Sequence, residues 1–157
     1  MTNNGVDTDH IAFLVGDLSR LFRATFEKLT LEHDLGVTTA EARVLGYMSL
    51  YGPQRQSCLA DLLGVAPMSL SVFLDRLETA GLVRRAPDPG DRRAKIVSLT
   101  RASEPVLRQI AGIGQGLNDA ALAGIEPAAQ AAFIETARQV RRNLESLRGP
   151  RTPGGRS

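Results

Sequence analysis

Cysteine is almost missing from this sequence: Cys58 is the single one in 157 residues. That excludes an intrachain disulfide framework and any zinc site built from cysteine pairs. The two histidines, His10 and His33, lie far apart in the chain, so neither a metal site nor a resident cofactor is expected. No nucleophile–base spacing, glycine-rich phosphate loop or carboxylate pair in a defined setting appears, so an enzyme is not expected. Apolar runs are a handful of residues long, too short to span a membrane. The first residues, MTNNGVDTDH, carry no basic start and no apolar stretch before a small-residue cleavage site. A secretory signal is therefore not expected, and the expected compartment is the cytoplasm.

What is present has the proportions of an ordinary globular chain, with 43% hydrophobic and 23% charged residues. The length suits one domain, or one domain with helical extensions. Net charge is only +2 although the pI is about 9.1. Lysine is scarce (Lys28 and Lys95), so the basicity is almost wholly arginine. It is also clustered. Arg84, Arg85, Arg92, Arg93 and Lys95 face only Asp88 and Asp91, and the arginines from Arg138 onward face Glu145 alone. A guanidinium donates several hydrogen bonds from one plane, which suits phosphates and base edges. A solvated surface would look the same by charge alone.

Residues 1–7 are polar and read as a flexible N-terminus. Over residues 8–32, Ile11, Leu14, Val15, Leu18, Phe22, Phe26 and Leu29 recur at helical spacing. Such a helix is too apolar to stand alone and needs the rest of the chain or a second copy against it. Thr38 and Glu41 have capping-box spacing and open a helix that carries Leu45 and Met48 inward and stops near Gly52-Pro53. A short helix over 56–63 ends at Gly64, and only Val65 and Ala66 separate it from a helix opening at Pro67. Two short helices across so tight a turn predict a helix-turn-helix. Residues 82–86 and 94–99 read as strands, with a loop over 87–93 between them. Thr100 is a candidate cap for a further helix. Pro105 delays its regular part to about residue 103 or 104, and Gly112, Gly114 and Gly116 weaken it. A last helix runs from Glu126-Pro127 to about Leu147. Residues 149–157 read as a disordered basic tail.

In the helix over 67–80, Leu70, Phe73, Leu74 and Leu77 form the buried stripe. The other side carries Met68, Ser69, Ser71, Val72, Asp75, Arg76 and Thr79. The serines can donate to phosphates or base edges, Met68 and Val72 suit a thymine methyl, and Arg76 can reach a phosphate or a guanine edge. Ala66 before Pro67 offers no side-chain cap, so the first amides are free for a phosphate.

The element order, LADLLGV over 59–65, LDRLETAGLV over 74–83, DPGDRR over 88–93 and VSLT over 97–100 resemble the MarR family of bacterial transcription regulators. The resemblance spans roughly residues 11–147. It implies a mainly α fold with a small β-hairpin wing: a winged helix-turn-helix domain over 8–148. Its DNA-binding core would be 38–100, and 8–33 and 101–148 would be dimerisation helices. It further implies a homodimeric repressor of double-stranded DNA that binds an inverted-repeat operator and is released by a small, often aromatic, effector. Pro67, Met68, Ser69, Ser71, Val72 and Arg76 would face the major groove. Arg93 would enter the minor groove with Asp91 holding its side chain, and Arg92 would meet a phosphate. Arg20, Arg23, His33, Tyr47 and Met48 are the candidate effector-pocket residues. Oxidant-sensing relatives place a cysteine near the first helix. Cys58 does not match that position and is expected to be a small, half-buried residue. The competing classes are a metal-sensing winged-helix repressor, an enzyme, and an interaction module that has lost DNA binding.

Overall fold

The computed structural model describes residues 10–148. The flexible start and the basic tail expected from the sequence lie outside the described residues. Helices α1 (Ile11–Leu31) and α2 (Thr39–Tyr51) come first, followed by strand β1 (Gln54–Arg55), helix α3 (Gln56–Leu63) and helix α4 (Pro67–Thr79). Strands β2 (Val83–Asp88) and β3 (Asp91–Leu99), a 3-10 turn (Arg101–Ser103), α5 (Glu104–Ala121) and α6 (Pro127–Leu147) complete the chain. The chain forms two compact units divided within α5, one ending at Leu117 and one beginning at Asn118. Among the described residues, no single helix is long and apolar enough to cross a membrane.

The local signals explain most boundaries. Both halves of the capping box are made: the Thr38 amide donates to Glu41 Oε2 (2.8 Å) and the Glu41 amide to Thr38 Oγ1 (3.3 Å). Gly64 closes α3 in the left-handed region (φ 63°), where a side chain would be strained, and lets the chain turn at once into α4. The first unit's core is built from Leu45 and Met48 of α2, Leu59 of α3, Leu70, Leu74 and Leu77 of α4, Val83 and Val97 of the sheet, and Ile110 and Ile113 of α5. Helix α1 buries only Thr30 and leaves Ile11, Phe13, Leu14 and Phe22 in solvent.

Three features differ from the sequence expectation. The sheet is three-stranded, in the order β1-β3-β2, because Gln54 and Arg55 pair with Val97 and Ile96 of β3. The loop expected over 87–93 is mostly strand: Asp88 pairs with Asp91, leaving Pro89-Gly90 as the turn. The register then shifts, because the next pair is Pro87 with Lys95. Arg92, Arg93 and Ala94 therefore bulge from β3 with no counterpart on β2, beside a proline that has no N–H for the ladder. Finally, Thr100 does not cap the following helix. Its hydroxyl donates to the carbonyl of Gly81 (2.6 Å) and ties the end of β3 to the end of α4.

Candidate nucleic-acid interface

Pro67 occupies the first position of α4, and Ala66 supplies no side-chain cap. With Leu70, Leu74 and Leu77 directed into the core, Met68 (83% exposed), Ser69, Val72 and Arg76 lie on the solvent side. Ser71 is half-buried, and its hydroxyl accepts a hydrogen bond from Gln56 Nε2 (3.0 Å), which ties the helix to the start of α3.

The same helix carries two acids that would repel a polyanion, and the structure neutralises both. Arg85 of β2 donates through Nη2 to Asp75 Oδ1 (2.6 Å), and through Nη2 and Nε to Glu78 Oε2 (2.6 and 3.0 Å). Its backbone amide donates to Glu78 Oε1 (2.9 Å). These bonds, the side-chain ones foremost, hold the Glu78 carboxyl below the usual carboxylate range, and Glu78 in turn raises the Arg85 guanidinium. Arg85 is thus a staple between wing and helix rather than a free surface cation. The sequence placed it only within a basic cluster, because a partnership across seven to ten residues has no local signature.

Beside the hairpin turn, buried Asp88 accepts the Gly90 amide (2.8 Å) and pairs with Arg55 Nε. The Gly90 amide lowers its pKa most, burial opposes that, and Arg55 adds to the lowering. The short strand β1 therefore anchors the hairpin turn. Arg92 and Arg93 are exposed on the bulge. Asp91 Oδ1 accepts the backbone amide of Arg93 (3.0 Å), which fixes the main chain of the bulge.

A second feature is a cavity of about 640 Å³ lined by α1, α2 and α5. Phe22, Phe26 and Tyr47 supply rings, Arg23 and Arg43 supply guanidinium groups, and Leu107 and Ile110 supply aliphatic wall. Of the sequence-derived pocket candidates, Arg23 and Tyr47 line this cavity. Met48 does not, being a fully buried core side chain. Arg20 pairs with Asp17 on the exposed side of α1 (3.2 Å), and His33 Nδ1 lies 2.7 Å from the Leu29 carbonyl. Arg43 was missed because an arginine within a core-forming helix shows no pattern of its own. It also donates to the Leu63 carbonyl (3.3 Å), at the end of α3 next to the Gly64 turn. Cys58 is free and half-buried on α3.

This arrangement of α2, α3, α4 and a stapled β-hairpin is a winged helix-turn-helix. The MarR family model matches residues 37–95, from just before the α2 cap into β3. The solved structure of transcriptional regulator PA3341 is 32% identical, covers 87% of this chain and 99% of its own, and superposes with a TM-score of 0.73. A MarR-family transcriptional regulator from Silicibacter pomeroyi is 27% identical, with 86% and 90% covered and a TM-score of 0.73. Bordetella bronchiseptica BpsR, whose DNA binding is regulated by 6-hydroxynicotinic acid, shares the fold at 20% identity, with 82% and 98% covered and a TM-score of 0.63. The chain belongs to the MarR family of transcriptional regulators.

Proposed function

We propose that this regulator is a homodimeric, sequence-specific repressor that binds an inverted-repeat operator and releases it when a small aromatic acid occupies the α1–α2–α5 cavity. The observation that carries the DNA-binding part is the treatment of charge on α4 and the wing. The acids of the helix are tied up by Arg85, while Arg92 and Arg93 are exposed on a bulge whose backbone Asp91 fixes. In the complex Met68, Ser69 and Val72 meet base edges or thymine methyls, the uncapped amides at Pro67 receive a phosphate, and Arg93 enters a narrow minor groove. Two such heads on a twofold axis meet major grooves about 34 Å apart. The apolar stripe of α1 supplies a surface for the second copy.

The effector part is supported by the cavity's chemistry. Aromatic walls with two guanidinium groups suit a planar ring bearing a carboxylate, and a volume of about 640 Å³ lies within the usual span for small-molecule sites. The ligand-regulated DNA binding of BpsR is a parallel in the same fold. Arg43 supplies the link, since the guanidinium that would meet the carboxylate also holds the carbonyl at the α3–α4 turn.

The test is selection of duplexes from a randomised library, followed by gel-shift titration. Arg93→Ala should weaken the selected duplex at least about tenfold, with the melting temperature nearly unchanged and affinity falling steeply with salt. Wild-type protein that prefers no sequence, or an Arg93→Ala variant of normal affinity, overturns the proposal. Aromatic acids added to the wild-type complex should release the duplex. Failure of every such acid removes the effector arm.

A further inference from the structure

The Glu41 carboxyl lies where solvent scarcely reaches it. Its side chain is 6% exposed. Oε2 accepts the Thr38 amide at 2.8 Å and completes the cap. Oε1 is sealed from solvent and has no hydrogen-bond partner among the described residues. A glutamine at this position would cap equally well, so the cap does not account for the negative charge. What does face Oε1 is Arg76 of α4, whose Nη1 lies 3.8 Å away. That is too long for a hydrogen bond and within the range of an ion pair.

Building on the DNA-binding function proposed above, we infer that Glu41 is a positioning residue for base selection: its buried carboxylate fixes the direction in which Arg76 presents its guanidinium to the groove. The Arg76 side chain is 63% exposed, so packing alone does not order it. A phosphate tolerates a wandering guanidinium, because any approach of positive charge is favourable. A guanine edge does not, because two acceptors must be met at once. A charge placed behind the helix orients the fork without consuming its N–H groups, all of which stay free for DNA. On the opposite flank of α4, Asp75 and Glu78 are bound directly by Arg85, so the two sides of the helix treat arginine differently.

The experiment pairs Glu41→Gln with Arg76→Ala and uses two probes, a duplex selected by the wild type and an unselected duplex. Glu41→Gln keeps an acceptor for the Thr38 amide and removes the charge, with its NH2 in the place of Oε1, so helix content and melting temperature should stay close to the wild-type values. Its affinity for the selected duplex should fall about five- to tenfold, the scale of losing a fixed base contact. Affinity for the unselected duplex should stay within about twofold, with the salt dependence intact because Arg76 keeps its charge. In the Arg76→Ala background, Glu41→Gln should change selected-site affinity by less than about twofold. Equal losses on both probes, no loss, or an undiminished loss without Arg76 each overturn the inference. A wild type that selects a sequence while Glu41→Gln binds normally sinks only this role. A wild type that selects nothing sinks the DNA-binding function and this role together.

Discussion

Helix α4 places Leu70, Leu74 and Leu77 wholly out of solvent, whereas α6, with 21 residues against 13, buries no side chain at all. Helix α1 resembles α6: one threonine is buried and a row of large apolar side chains is exposed. The two regions use the same amphipathic principle with different partners. The stripe of α4 is filled by α2, α3 and β2 of its own chain, whereas α6 and the first turns of α1 leave theirs open. Stability of the central part is therefore a property of one chain, and order at the terminal helices depends on what covers them.

The largest expected effect breaks the central side of this contrast. Leu74→Ala empties a site with no exposure and should cost about 2–5 kcal/mol, seen as a lowered midpoint in denaturant titration. A Leu74→Ala variant as stable as the wild type would mean that this core is not close-packed. Next comes the terminal side. Leu14→Glu, on an already exposed position, should leave helix content unchanged and weaken self-association more than about tenfold in sedimentation velocity, because it buries a charge in the proposed interface. Unaltered association would remove α1 from that interface.

The smallest effect separates the half-buried ion cluster from the exposed ones. Arg85→Ala should cost roughly 1 kcal/mol, discounted because Glu78 remains more than a third exposed, while Glu135→Ala on α6 should leave the melting temperature unchanged. The Arg85 effect has a predictable pH dependence. Glu78 is more acidic in the folded chain than in the unfolded one, so its contribution is present above the ordinary carboxylate pKa and is lost as pH falls through the folded value. The gap between wild type and Arg85→Ala should therefore be constant near neutral pH and narrow as pH falls below the ordinary carboxylate range. A gap that is constant with pH would show that Arg85 acts by packing alone.

What the sequence made legible was local. Thr38 with Glu41, Gly64 as a stop, Pro67 as a start and the leucine stripe of α4 act within a few residues, and each boundary fell where those rules place it. The hidden parts are long-range or too short to have a period. Strand β1 is two residues that exist only because β3 lies alongside. The Asp88–Arg55 and Arg85–Glu78 pairs join segments that only the fold brings together. The wing was the intermediate case. Its Pro, Asp and Gly content correctly signalled a turn but concealed how little of the segment is loop, because strand pairing outweighed composition. Of the residues expected at the interface, Met68, Ser69, Val72, Arg76, Arg92 and Arg93 are exposed, whereas the counter-charges Glu41 and Arg85 could be found only from coordinates.

The guanidinium of Arg43 belongs at once to a hollow and to a bend: it lines the cavity and steadies the last carbonyl of α3, where the chain begins its turn toward α4. Thermodynamic reciprocity then leaves no one-way messenger. Under the proposed function, whatever factor the guest molecule takes from the protein's grip on the duplex, the duplex takes from its grip on the guest, so promoter occupancy itself sets how much metabolite the cell needs to clear it.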